Sequence, residues 1–275
     1  MTYATLMVHL DLGRSNAQLL RFTGELARRF DSHVIGIVAA QPMQIIGGEG
    51  FVYGDFMDQD SARIDQEIAA AQAEFRGAFA ARADRIEWRS TVMMGVLADY
   101  VSREARSADL FITGVPSGDF FDSPRRVNSG DLVMQLGRPV LVVPAGIEAT
   151  KLDRVMLAWK DTREARRAAY DALPMLKAAS HVTVVEIAAA ESLDNARVHL
   201  EAIIVWLKRH AVSAEYRLEL SDGDDAARLN AIATEDRADV VVAGAYGHSR
   251  LREWALGGVT RDLMFAANRC AFVSH

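Results

Sequence analysis

The sequence has a single cysteine, Cys270, in 275 residues. One cysteine excludes an intrachain disulfide and any metal site built from several cysteines, and it is typical of a reducing compartment. No run of 18 apolar residues is present, and the N-terminal residues lack the basic segment and the small-residue cleavage site of a secretory signal. We therefore expect a cytoplasmic protein that does not enter a membrane.

Positive charge is scarce as well. The chain carries 31 Lys and Arg against 37 Asp and Glu, a formal net charge of −6. Residues 1–148 contain 14 arginines, no lysine and 19 acidic residues, whereas residues 149–275 contain 17 basic and 18 acidic residues. A nucleic-acid-binding domain normally shows a basic excess, so we expect neither half to bind nucleic acid.

Short apolar runs alternate with amphipathic stretches of helical length along the whole chain. This alternation predicts parallel sheets covered by helices. The elements occur twice in the same order, and Gly114 and Gly244 end the fourth predicted strand of each half. We interpret the pattern as a duplication that gives two domains, 1–146 and 151–275.

The individual elements can be assigned from the same pattern. The ten predicted strands span 5–10, 33–39, 86–92, 109–113, 139–143, 154–159, 181–187, 214–220, 239–244 and 270–274. The eight predicted helices span 14–30, 59–83, 95–106, 128–136, 162–178, 191–209, 223–235 and 258–267. In the helix 191–209 we expect Val198, Ala202, Val205 and Leu207 to share the apolar side. Residues 40–58 form a long connection that is either a lid or a mobile insertion.

Several common sites are excluded by their missing motifs. The chain contains no P-loop, no dinucleotide-binding glycine motif after its first strand, no H-E-x-x-H and no G-x-S-x-G. Its seven histidines are scattered without metal-ligand spacing. The sequence therefore assigns no catalytic residue and no metal ligand, and it leaves the need for a metal open.

The segment 239–264 is the most informative. It contains Gly244 and Gly247, then nine residues, then Gly257 and Gly258 at the start of a predicted helix. Glycines after a parallel strand allow backbone N–H groups to approach a phosphate, and a helix N-terminus favours negative charge. The segment also supplies the cationic side chains Arg250, Arg252 and Arg261, besides His248. The alternative is that the glycines serve only turns and a helix start while the arginines are solvated.

This spacing resembles the universal stress protein family, whose nucleotide-binding members carry G-x2-G-x9-G-[S/T] in this loop. The order of elements resembles that family over essentially the whole chain, and the duplication resembles its tandem members. The resemblance implies an α/β fold with two tandem open parallel five-stranded sheets and flanking helices, of the adenine nucleotide α-hydrolase type. It also implies ATP or AMP as ligand.

The resemblance also implies which residues contact the nucleotide. The positions matching the family's phosphate and ribose contacts are Gly244, Tyr246, Gly247, Gly257, Gly258, Val259 and Thr260. The positions matching its adenine contacts are Ala158, Trp159 and Ile187. One departure is Gly258, which stands where the family has Ser or Thr and so removes a hydroxyl donor.

The two halves depart from the family in opposite ways. Lys160 stands where nucleotide-binding relatives have Asp; a charged lysine cannot ligate a metal, but it could pair with a phosphate or be a surface cation. The first half keeps the acid, Asp11, but has Ser117 and Arg126 at motif glycine positions, so we expect it to bind no nucleotide. We expect Asp11 to cap the helix that begins near Arg14 or to pair with an arginine.

Single-domain relatives commonly dimerise through their last strands. By that resemblance we expect 139–143 to lie antiparallel to 270–274, which would hide two apolar edges in an intrachain pseudo-dimer. Higher association of chains and the identity of any protein partner are not readable from the sequence.

Three functions follow from these observations. The first is a stress-response protein that binds an adenine nucleotide in its second domain as a regulatory or signalling ligand. The second is an interaction or scaffold module without a nucleotide. The third is a slow ATPase, which is disfavoured because the acid and the glycine loop fall in different halves.

Overall fold

The computed structural model describes residues 2–43, 53–115, 127, 129–147, 152–245 and 269–275. The chain divides into two compact units. The first unit comprises residues 3–136, and the second comprises residues 137–275 together with Thr2.

The first unit contains four parallel strands in the order β3-β2-β1-β4. The strands are β1 (Thr5–His9), β2 (His33–Ala40), β3 (Ile86–Val92) and β4 (Leu110–Gly114). The helices are α1 (Ala17–Phe30), α2 (Tyr53–Ala78), α3 (Leu97–Glu104) and α4 (Ser129–Gln135). Gly36 of β2 lies beneath two aromatic rings: a Cβ atom there would come within 2.9 Å of Phe75 and Trp88.

The second unit contains six strands in the order β5-β10-β9-β6-β7-β8. The strands are β5 (Val140–Val143), β6 (Arg154–Ala158), β7 (His181–Ala188), β8 (Glu215–Leu220), β9 (Val240–Gly244) and β10 (Cys270–Ser274). The helices are α5 (Arg163–Asp171), α6 (Leu173–Ala178), α7 (Leu193–Arg209) and α8 (Asp225–Glu235). All of these strands run parallel to their neighbours except β5.

Strand β5 pairs antiparallel with β10 and thereby joins the sheet of the second unit. Leu141 lies opposite Phe272, and Val140 lies opposite Val273. All four side chains are buried. The predicted pairing of 139–143 with 270–274 is confirmed, and so are all ten predicted strands.

The core follows the position of each strand in its sheet. The central strands β1, β4, β9 and β10 are apolar along nearly their full length and almost fully buried, as expected where both faces of a parallel sheet are covered. The outer strands β3 and β8 are half-exposed. Within the described part of the chain, no helix is both long enough and apolar enough to cross a membrane.

Three helix predictions need correction. Helix α2 begins at Tyr53, so the last residues of the segment 40–58 are helical and the connection is shorter than predicted. The predicted helix 162–178 is two helices that meet at Ala172, with a proline in the first turn of the second.

The apolar side predicted for α7 was also wrong. Val198 and Val205 are exposed by 62% and 49%, whereas the buried residues are Ala196, Leu200, Ile203 and Leu207. These four recur at intervals of three and four residues and form one helical face. Of the four residues predicted to share the apolar side, only Leu207 is buried, and the other three lie on the solvent-exposed side of the helix.

Candidate functional site

The candidate site lies where three strands of the second unit end. We use the term carboxyl edge for residues 158–161, 186–188 and 243–245, at or beside the ends of β6, β7 and β9. Strands β6 and β9 are neighbours, with Ala158 opposite Ala243, although the chain runs outward from β6 to β8 before it returns to β9. In open parallel sheets, ligands bind outside the carboxyl ends of strands at such a reversal of strand order.

Gly244 ends β9 and is packed beneath the first turn of α5. A Cβ atom at this position would lie 2.5 Å from the backbone nitrogen of Ala165 and 2.5 Å from the carbonyl carbon of Glu164. Since both neighbours are backbone atoms, neither can rotate away. The glycine is therefore required for the packing of α5 on the sheet, whatever the loop after it binds.

The residues predicted to line an adenine lie close together at this edge. Ala158 is half-buried, whereas Trp159 and Ile187 are buried. The backbone N–H of Trp159 donates to the carbonyl of Val185 at 2.8 Å, which continues the β6–β7 ladder by one residue. The indole Nε1 of Trp159 is buried and has no hydrogen-bond partner in the part of the chain that the structure describes.

Lys160 projects from the carboxyl edge, and its side chain is 51% exposed. Its Nζ lies 3.4 Å from Oδ2 of Asp225, the first residue of α8. The other carboxylate oxygen of Asp225 accepts a hydrogen bond from the Ser221 hydroxyl at 2.6 Å. The lysine is thus both a surface cation and close to the strand ends, and the pairing leaves its ammonium accessible to a further anion.

The first turn of α5 is already supplied with acceptors. Thr162 caps the helix, because its Oγ1 accepts from the N–H of Ala165 at 3.2 Å. Glu164 is buried in that turn and accepts from Nε of Arg163. Burial by itself raises the pKa of Glu164, but the hydrogen bonds from Arg163, the backbone and Thr162 outweigh it and lower the pKa overall.

Glu186 is a functional candidate that the sequence analysis missed. It lies in β7, is only 7% exposed, and its Oε2 has no hydrogen-bond partner among the described residues. Burial raises its pKa, the nearby His199 and Lys160 lower it, and Asp161 raises it further. The sequence signal for it was a single acidic residue within the otherwise apolar segment VVEIAA. That segment was assigned only as a strand, and Glu186 was given no functional role.

Asp161 connects the segment after β6 with α7. Its Oδ1 accepts from Nη1 of Arg166 at 2.6 Å, and its Oδ2 lies 3.8 Å from Nε2 of His199. Glu186 therefore lies within electrostatic range of Lys160 and Asp161 at the carboxyl edge and of His199 in α7.

The remaining predicted nucleotide contacts lie outside the described residues. They are Tyr246, Gly247, Gly257, Gly258, Val259 and Thr260. Within the described ranges, no cluster of three or more histidine, cysteine or acidic side chains is arranged to hold a metal ion.

The predicted helix-capping role of Asp11 was wrong. Helix α1 begins at Ala17 rather than near Arg14, and its N-cap is Asn16. The Asn16 side chain accepts from the Asp11 N–H at 2.9 Å and donates to the Asp11 carbonyl at 3.0 Å. The Asp11 carboxylate forms no cap and no ion pair with the residues that the structure describes.

Comparison with known proteins bears on the fold. No family model matches the sequence, and a search of curated proteins finds no match. A universal stress protein from Archaeoglobus fulgidus DSM 4304 superposes with a TM-score of 0.73 at 13% identity, covering 100% of this chain and 99% of that one. The chain has the fold of the universal stress proteins.

Two further solved structures are similar. A protein of unknown function from Pseudomonas aeruginosa PAO1 gives a TM-score of 0.66 at 13% identity, covering 99% of this chain and 92% of that one. A universal stress protein solved in complex with cAMP covers 52% of this chain and 98% of its own at 22% identity, with a TM-score of 0.36. The full-length matches establish the tandem α/β fold predicted from the sequence, and at these identities they carry no further meaning.

The packing of Gly244 can be tested against its counterpart in the first unit. Gly114 ends β4 as Gly244 ends β9, but a Cβ atom on Gly114 would meet no described residue within 4 Å. We expect Gly244→Ala to lower the free energy of unfolding by about 1–3 kcal/mol, as overpacking does. Gly114→Ala should change it by less than about 0.5 kcal/mol, measured by urea denaturation. Equal effects of the two substitutions would contradict this role for Gly244.

The buried Glu186 should make stability depend on pH. Because its pKa is raised in the folded state, that state holds the proton at pH values where the unfolded chain has released it. Its contribution to the free energy of unfolding is therefore fully present below the ordinary pKa of 4.5 and is lost as the pH rises through the folded-state value. Urea denaturation between pH 4.5 and 8 should show a weaker decline for Glu186→Gln than for the wild type. A matched control is the exposed Glu215→Gln, which should follow the wild-type curve.

Proposed function

We propose that the protein is a tandem member of the universal stress protein family that acts in the cytoplasm in a stress response. In this proposal its second unit binds an adenine nucleotide, ATP or AMP, as a regulatory or signalling ligand. One observation carries the proposal: the G-x2-G-x9-G sequence starts at the end of β9, beside the end of β6, where the strand order reverses.

The base would occupy the apolar part of the carboxyl edge. Trp159 and Ile187 are buried apolar residues at the ends of the neighbouring strands β6 and β7, and the half-buried Ala158 before Trp159 carries only a methyl group. Ligand sites combine an apolar surface of this kind with a few polar groups that fix orientation.

The phosphates would lie toward the loop after β9. The described helix N-termini nearby already carry acids, since Glu164 lies in the first turn of α5 and Asp225 in that of α8, where Asp224 also caps the helix. These acids occupy positions that a phosphate would need and would repel it. The cationic and glycine-rich sequence 246–261 is therefore the favoured phosphate-binding segment, and Lys160 is a further candidate contact.

A scaffold function without a nucleotide is the second candidate. The packing of Gly244 favours it, because one motif glycine is explained by α5 alone. That packing also changes the choice of a test residue, since a substitution of Gly244 would disturb the fold and the loop together. Gly247 is the better choice.

The proposal predicts one adenine nucleotide per chain. Native mass spectrometry of gently purified protein should show a single bound ATP or AMP, and titration calorimetry should measure its affinity. Gly247→Val should abolish binding, because a branched side chain prevents close approach of the backbone to phosphate. Gly114→Ala is the control and should bind as the wild type does. Unchanged affinity in Gly247→Val would reject the site, two nucleotides per chain would reject the assignment to one unit, and no binding at millimolar ATP would favour the scaffold function.

Lys160 provides a separate test of where the phosphates lie. If its ammonium contacts them, Lys160→Ala should weaken ATP binding by about tenfold and leave adenosine binding nearly unchanged. The exposed ion pair with Asp225 should cost less than about 1 kcal/mol of stability, so the variant remains folded. Equal losses for ATP and adenosine in calorimetric titrations would assign Lys160 to the surface instead.

A further inference from the structure

Two buried side chains at the carboxyl edge each have a polar atom with no hydrogen-bond partner among the described residues, and the two residues occupy opposite positions on neighbouring strands. Ala158 pairs with Val185, and the N–H of Trp159 donates to the Val185 carbonyl, so Trp159 lies opposite Glu186 in the β6–β7 ladder. Residues opposite each other in a parallel ladder project from the same face of the sheet. Trp159 is 5% exposed and Glu186 is 7% exposed.

Their unmet hydrogen bonds are of opposite kinds. Nε1 of Trp159 is a donor, and Oε2 of Glu186 is an acceptor when the carboxyl is ionised; neither finds a partner among the described residues. Buried polar atoms are almost always hydrogen-bonded, and those that are not require a specific explanation. A donor and an acceptor left open on adjacent strands indicate a third molecule that offers an acceptor and a donor side by side.

The charged side chains around Glu186 form ion pairs with other residues. His199 lies 3.8 Å from Asp161, and Lys160 lies 3.4 Å from Asp225. Asp161 also pairs with Arg166. These neighbours set the electrostatic environment of Glu186 without forming a hydrogen bond to its Oε2, so that atom is left for a ligand.

We propose that Trp159 and Glu186 together read the base of the nucleotide, with the indole N–H donating to a ring nitrogen and the carboxylate accepting from the exocyclic amine. Adenine presents an acceptor, N7, next to the N6 amine, whereas a 6-oxopurine presents two acceptors there. Glu186 would then be the residue that selects adenine. This inference rests on the proposed function and adds to it a specificity-determining residue.

The test compares ATP with ITP, whose base carries a carbonyl in place of the amine, on the full-length protein. The wild type should prefer ATP. Glu186→Gln should reduce the ratio of the two affinities by about tenfold or more, because the amide can rotate to donate to the carbonyl. Trp159→Phe should weaken both nucleotides by a similar factor and preserve the ratio, since both bases offer the same ring nitrogen.

Matched controls separate base reading from general damage. Glu215→Gln removes the same charge from an exposed position of β8, and Trp206→Phe makes the same aromatic change in α7. Both controls should bind ATP and ITP as the wild type does. If Glu186→Gln does not fold, the ratio of the ATP and ITP affinities of the wild type is measured as a function of pH instead. Protonation of Glu186 as the pH falls should reduce the preference for ATP. The phosphates are identical in ATP and ITP, so their titration cancels in the ratio, as do the contributions of His199, Asp161 and Lys160 to phosphate binding.

The outcomes distinguish this inference from the function beneath it. If the wild type binds ATP and Glu186→Gln keeps the wild-type ratio, the inference is overturned and nucleotide binding stands; a bound water then satisfies the pair. An equal affinity of the wild type for ATP and ITP at neutral pH overturns it as well. If the wild type binds neither nucleotide, both the inference and the proposed function fall.

Discussion

The adjacency of β6 and β9 is the constraint on which the candidate site depends. The chain builds β6, β7 and β8 outward in one direction and then crosses back to place β9 on the other side of β6. Helices that follow neighbouring strands diverge at such a reversal, and this divergence opens a crevice at the carboxyl edge. The buried aromatic residue after β6, the glycine that ends β9 and the acid in β7 are brought together by this topology.

Helix α5 makes the crevice asymmetric. Its first turn sits directly on the end of β9, at a distance that only glycine permits. The same turn contains a buried glutamate and a threonine cap, so its N–H groups are turned to the protein's own acceptors. In the first unit, the equivalent glycine, Gly114, has no such neighbour among the residues that the structure describes. The two repeats therefore share an order of elements but differ in the described surroundings of the glycine that ends the fourth strand.

The sequence alone was sufficient to predict the strands, but it was not sufficient to predict which polar side chains are buried and which residues they face. Apolar runs of four to seven residues identify the central strands because a covered parallel sheet requires them, and all ten predicted strands are present, including the half-exposed β3 and β8. Helix faces were harder: α7 exposes Val198 and Val205 because its neighbours on the sheet contact a different stripe, which depends on tertiary packing. Glu186 was overlooked because the residue opposite it, Trp159, belongs to another part of the sequence, and only the register of the β6–β7 ladder shows that the two are opposite.

Membership of β5 in the second unit has a consequence for how the chain can be divided. A cut at the boundary of the repeats, after residue 146, would separate β5 from β10 and leave the Cys270–Ser274 strand with an open row of backbone donors and acceptors. Such a row is a template for a second chain. The duplicated halves are thus not equivalent, because the last strand of the first repeat, β5, covers the edge of β10 in the second. A fragment that begins at residue 137 retains this strand pairing, and a fragment that begins at residue 151 lacks it.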